Sequence, residues 1–157
     1  MAAGRRLEYK MDALIRKGTG SAILLNISGN NIRKDTSAFV LLNIRENVVR
    51  DGTGANPVLN VSGNNIRAGS GLSVICNIRG NEIRKGSGSS ILFNLNGNSI
   101  RKGPGNSALY NTTRRLSTVE LAAVLYALGE LSFGPNQDLL FRHSWAHAPN
   151  RSEPLDV

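Results

Sequence analysis

Two columns of identical residues, each recurring at every seventeenth position, constrain this chain more than any other feature in it. One column is Asn26, Asn43, Asn60, Asn77, Asn94 and Asn111; the other is Arg16, Arg33, Arg50, Arg67, Arg84 and Arg101. A β-branched residue precedes each arginine (Ile15, Ile32, Val49, Ile66, Ile83, Ile100). Two residues after the arginine comes a glycine (Gly18, Gly52, Gly69, Gly86, Gly103), with Asp35 as the exception. Self-similarity at a fixed short period means that one supersecondary unit is being stacked, each copy covering a face that its neighbour leaves open.

Turn chemistry identifies the unit. Ser28-Gly29, Ser62-Gly63, Arg79-Gly80 and Asn96-Gly97 each sit between two short apolar runs, and such pairs read as two-residue hairpin loops. With Asn96-Gly97 as the loop, Leu95 is expected opposite Asn98, Asn94 opposite Ser99 and Phe93 opposite Ile100. The large apolar residues then meet on one face, and Arg101 points to the other. The alternative is a β-solenoid in which the asparagines stack as a ladder. Its equivalent arginines would lie about 4.8 Å apart, against roughly 9.6 Å in a hairpin array. Even in bulk water that is about 0.9 against about 0.4 kcal/mol of repulsion per neighbouring pair, which favours hairpins.

Five full hairpins are expected: Ala22 to Lys34, Phe39 to Asp51, Pro57 to Ala68, Val74 to Lys85 and Ile91 to Lys102. Glu46 replaces the turn glycine of the second, which predicts a strained turn or a longer loop there. At the N-terminus, Leu7 to Lys17 is a degenerate copy, with Tyr9 in the asparagine column, Asp12 near the turn and a good second strand in Leu14 to Lys17. At the other end Ala108 to Asn111 starts a copy that Arg114-Arg115 interrupts. The two half copies are complementary, and pairing them would close a ring with no free strand edges. Within each first strand, Ile91 and Phe93 are expected on one face and Leu92 on the other, which would cover the sheet on both sides.

At Ser117 the hydrophobic period changes from 2 to 3.6. Ser117-Thr118-Val119-Glu120 is a capping box, and Leu121, Val124, Leu125, Leu128 and Leu131 form one stripe, which predicts a helix from Thr118 to about Leu131. Its expected place is on the end or flank of the β array, as a cap. The resulting division is a repeat domain over 1–113, a capping helix over 114–133 and an irregular tail over 134–157, with a short ordered piece at Leu139 to Trp145. The expected class is all-β, a closed or radial array of about six hairpins with one helix.

The recurring unit of residues 22–111, Leu-Tyr/Phe-Asn-Ile-x-Gly-Asn-x-Ile-Arg-x-Gly, resembles the short hairpin repeats of small bacterial proteins of the beta flower kind. In that family a few hairpins radiate around an axis; this chain has more repeats than the fourfold form. The resemblance implies a radial all-β fold and no established activity, so it assigns no functional residues. The hairpin repeats of large surface and toxin proteins share Asn-Gly turns, but their tyrosine-aspartate pair is absent.

Charge enters because of where it lies. The net charge is +8, and residues 15–103 hold twelve Lys or Arg against four Asp or Glu, so the repeats are the basic part of the molecule. A basic array suits an anionic partner. The candidate binding residues are therefore the arginine column, Arg16, Arg33, Arg50, Arg67, Arg84 and Arg101. The asparagine column is assigned a structural role, because a buried amide must find backbone or side-chain partners. The partner expected is an acidic protein surface or a second copy of the chain, with nucleic acid or another polyanion as the alternative. Aromatic residues are too few beside the arginines for base stacking.

No Ser, Cys or Thr is set with a His and a carboxylate in any local catalytic signature, so no enzyme and no cofactor are expected. His143 and His147 share a helical spacing without a third ligand at motif distance, so no metal is expected either. Cys76 stands in an apolar column with Leu25, Leu42, Leu59, Phe93 and Tyr110, which marks it as a buried small hydrophobe. The glycosylation sequons at Asn26, Asn60 and Asn111 belong to the repeat column, and that at Asn150 has no accompanying secretion signal; all are read as coincidental. Without a membrane-length apolar stretch or a signal-peptide core, a cytoplasmic setting is expected.

Overall fold

A computed structural model of the protein describes residues 13–131. The chain forms twelve strands: β1 (Ala13–Lys17), β2 (Ile23–Ser28), β3 (Asn31–Lys34), β4 (Val40–Arg45), β5 (Val48–Asp51), β6 (Pro57–Ser62), β7 (Asn65–Ala68), β8 (Val74–Arg79), β9 (Glu82–Lys85), β10 (Ile91–Asn96), β11 (Ser99–Lys102) and β12 (Ala108–Thr112). One helix follows, α1 (Thr118–Ala127). Every strand pairs antiparallel with its sequence neighbours, and β1 pairs with β12, which closes a barrel. The closed antiparallel barrel rules out the solenoid. Tyr9 and Asp12, the tail over 134–157, the piece at Leu139 to Trp145 and the His143/His147 pair lie outside the described residues.

The hairpin loops sit one residue further on than the turn pairs suggested. Asn96 pairs with Ser99, Leu95 with Ile100, Asn94 with Arg101 and Phe93 with Lys102, so the loop is Gly97-Asn98. Gly97 has φ +60, and Asn98 is not among the positive-φ residues. A two-residue loop with glycine first is a type II′ turn, whereas Asn-Gly as the loop pair would be type I′. The inward and outward sets survive this correction, because moving the loop by one residue shifts the partner by two positions and keeps the parity of the faces. Glu46 takes the same place in its own loop at φ +57, so the turn is kept at the expense of strain rather than lengthened.

Each strand that opens a hairpin also carries a bulge. Phe93 lies opposite Ile83 and Ile91 opposite Arg84, which leaves Leu92 as the extra residue; the same shift recurs beside the other arginines, Arg16, Arg33, Arg50, Arg67 and Arg101. The bulge corrects the expected alternation. Phe93 faces the core, Ile91 joins Arg84 on the outer face, and Leu92 packs partly buried against the core. No second layer is needed to cover the sheet.

The larger departure is the helix. Its capping box is present, with the Ser117 hydroxyl accepting from the Glu120 N–H at 3.2 Å and the Glu120 carboxylate accepting from the Ser117 N–H at 2.8 Å. All seven residues from Leu121 to Ala127 are buried, the four from Ala122 to Leu125 completely. A helix capping an end or flank would keep one solvated stripe; burial on every side places α1 inside the barrel. The core-facing residues agree: Ile15, Ile27, Ile32, Val49, Leu59, Ile66 and Ile83, from seven strands around the barrel, are fully buried, which requires a filled lumen. α1 lies closest to β4, β5 and β6. It ends earlier than its apolar stripe, because Gly129 at φ +76 turns the chain after Leu128.

Candidate interaction surface

The asparagine column lies on the outer face, and its six side chains make the same contacts. The amide nitrogen of each donates to two carbonyl oxygens in the loop that ends its hairpin, the first at 2.7–2.8 Å and the second at 2.9–3.2 Å. Asn77, for instance, holds the carbonyls of Gly86 and Gly88. The N–H of Gly86 in turn donates to the carbonyl of the bulged Ile75 at 2.8 Å. Asparagine, loop and bulge therefore form one locked corner. The sixth corner is assembled from both ends of the barrel: Asn111 of β12 holds Gly18 and Gly20, which follow β1. These contacts are structural, and they explain why asparagine rather than aspartate serves at these six positions: a short acceptor-only carboxylate has no hydrogen to give two carbonyls.

The arginine column also lies on the outer face, cross-strand from the asparagines, as in the pairs Arg33 with Asn26 and Arg16 with Asn111. The six arginines form a belt around the outside of a closed barrel. They do not converge on the lumen, which α1 occupies, so no channel focuses their charge. On its other side each arginine faces an aliphatic residue: Ile23 beside Arg16, Val40 beside Arg33, Pro57 beside Arg50, Val74 beside Arg67, Ile91 beside Arg84 and Ala108 beside Arg101. Sequence reasoning missed this second column, because the bulge moves it to the arginine face. Two large hydrophobics on the loops leading into it are exposed, Phe39 and Leu72, the latter at 78%.

The arginines are not equivalent. Arg84 is paired with Glu82, two residues before it on the same face, whose Oε1 accepts from Nε at 2.9 Å and from a terminal nitrogen at 2.6 Å. Arg101 donates to Asn106 Oδ1 at 3.2 Å. The Nε atoms of Arg16, Arg33, Arg50 and Arg67 are buried against the barrel without a hydrogen-bond partner. The residues matching Glu82 there are Leu14, Asn31, Val48 and Asn65, none of which carries a carboxylate.

Other polar groups serve the fold. Arg114 forms a two-pronged pair with Glu120, 2.9 and 2.8 Å, and this holds the Glu120 carboxyl below its ordinary range. Burial pushes the Tyr110 hydroxyl up, helped by its hydrogen bond to Glu130, and pushes Tyr126 up to about 12 with a contribution from Asp51. Cys76 is fully buried and its thiol is pushed up to about 12 by desolvation. Among the described residues no group of three His, Cys, Asp or Glu is placed to hold a metal, and no helix is long and apolar enough to cross a membrane.

In comparisons with known proteins, residues 15–125 match the family model described as "6-fold beta flower protein", a match that runs from β1 into α1. No curated protein and no solved structure matches.

Proposed function

The chain belongs to the 6-fold beta flower family, and from that premise we propose that it is a non-enzymatic structural or protein-interaction module that presents a basic outer belt on a rigid barrel. We read the barrel as six 17-residue hairpin units, five continuous and one assembled from β12 and β1. The observation that carries the functional reading is the belt itself, in which arginines alternate around the circumference with outward aliphatic residues. Arginine beside half-buried aliphatic side chains, with exposed Phe39 and Leu72 nearby, is the composition of a protein interface. The non-enzymatic part rests on the lumen: where barrels hold ligands, this one holds a helix. A cytoplasmic setting belongs to the same proposal.

A second reading, polyanion binding through the arginine column, draws on the charge of the strands alone. Salt separates the two. Affinity for heparin or mixed-sequence RNA should fall linearly with the logarithm of salt, with a slope that counts engaged charges. An acidic peptide carrying apolar residues should lose less, because part of its binding energy is apolar burial. Titration of both probes at two salt concentrations, with sedimentation of the protein alone to detect self-association, tests the reading. Retention of all binding in a folded variant with Arg50, Arg67, Arg84 and Arg101 replaced by glutamine would remove the belt from either function.

A further inference from the structure

The belt is divided into two arcs. Arg84 on β9 and Arg101 on β11 are engaged within the molecule, whereas Arg16, Arg33, Arg50 and Arg67, on β1, β3, β5 and β7, keep an Nε without an acceptor. The four follow one another around the barrel, so the unpartnered donors are contiguous. A buried donor with no acceptor is costly and is rare in native structures. The molecule itself shows the group that relieves it. At Arg84 the Glu82 carboxylate lies side-on to the guanidinium and takes both Nε and a terminal nitrogen through one oxygen. A planar guanidinium, with its donors in a rigid fork, suits a carboxylate partner.

Resting on the interaction reading above, we propose that the arc of Arg16, Arg33, Arg50 and Arg67 is the docking surface for an acidic segment of a protein partner, whose carboxylates take the place that Glu82 holds on Arg84. Each arginine lifts from the barrel surface to meet its carboxylate, and the aliphatic side chains of the partner cover the outward Ile23, Val40 and Pro57 between them. Exposed Phe39 lies within the arc, on the loop between β3 and β4, and exposed Leu72 at its edge, on the loop after β7. A peptide chemistry fits this alternation better than a sulfated or phosphorylated polymer, which has no apolar groups to set between the charges.

The test is fluorescence anisotropy of a short labelled peptide of alternating glutamate and valine, titrated with the full chain, with heparin as the competing probe. Arg33→Gln with Arg50→Gln should weaken binding by about tenfold or more, and Arg84→Gln with Arg101→Gln by no more than about twofold. Val48→Glu with Asn65→Glu, which supplies internal carboxylates where Glu82 stands, should weaken it as much as the first pair while keeping the fold, as judged by circular dichroism. Glu82→Gln should strengthen it by freeing Arg84. Equal losses from both arginine pairs would overturn the arc and leave the belt in place. A folded parent that binds heparin but not the peptide would overturn the protein partner in favour of a polyanion. If neither arginine pair changes binding of either probe, both the arc and the belt reading fall.

Discussion

At the scale of single residues, conformation and hydrogen bonding separate positions that look alike. Gly97 has open space where a Cβ would go, yet its φ of +60 strains any side chain, so Gly97→Val should cost about 2 kcal/mol or more while Lys102→Val costs little. The converse change tests the same argument. Glu46 is held at φ +57, so Glu46→Gly should stabilise by about 0.5–1 kcal/mol, seen as a higher urea midpoint at unchanged slope. Asn77→Ala leaves two loop carbonyls without a donor and should cost about 2 kcal/mol, whereas Asn64→Ala, in an exposed hairpin loop, should be nearly neutral for its side chain. Equal losses at the two asparagines would contradict the locked corner.

At the scale of elements, α1 is the core of the barrel, which predicts how it fails. Leu125→Ala should cost about 3 kcal/mol and lower the midpoints of helix and sheet together in one transition. A helix that melted first, with the sheet intact, would indicate a cap. The entry of the helix has its own pH dependence. The folded-state carboxyl of Glu120 lies below its ordinary value, mainly through its hydrogen bond to Arg114. Its stabilisation is therefore complete above the unfolded value of about 4.3 and is lost as pH falls through the lowered folded value. Glu120→Gln should cost about 1 kcal/mol at neutral pH, and the urea midpoints of parent and variant should converge in acid below that window.

At the scale of the whole molecule, closure depends on the shortest route between the two ends of the sheet. β1 pairs Ile15 with Thr112, Arg16 with Asn111 and Lys17 with Tyr110, and Leu14 adds hydrogen bonds with the Thr113 hydroxyl and N–H at 2.9 and 3.1 Å. No covalent turn joins these strands. Removal of residues 1–17 should expose the edges of β12 and β2 and open the lumen beside α1, so the truncated chain should aggregate on heating and bind a hydrophobic dye. A soluble truncation with one cooperative transition would mean that the seam does not hold the barrel.

Much of this architecture was legible in the chain. The spacing of the Asn and Arg columns, the glycines and the capping box specify turns, strands and a helix start by local sterics and hydrogen bonding, which act over a few residues. The complementary half copies at the two ends even announced the β1–β12 pairing. What local rules could not decide was which of two adjacent turn geometries each glycine adopts, and that a bulge at Leu92 and its equivalents transfers Ile91 to the arginine face. The helix shows the limit most clearly. The Leu121, Val124, Leu125 and Leu128 stripe is what an amphipathic cap would carry, and only the width of a twelve-strand barrel demands that a helix fill it. The arginines divide for a local reason that the sequence does carry: Glu82 stands two residues before Arg84 on the same face of β9, and Asn106 five residues after Arg101. What only the closed sheet decides is that the four arginines without such a partner, Arg16, Arg33, Arg50 and Arg67, come to lie side by side, because the β1–β12 pairing sets the circular order of the strands.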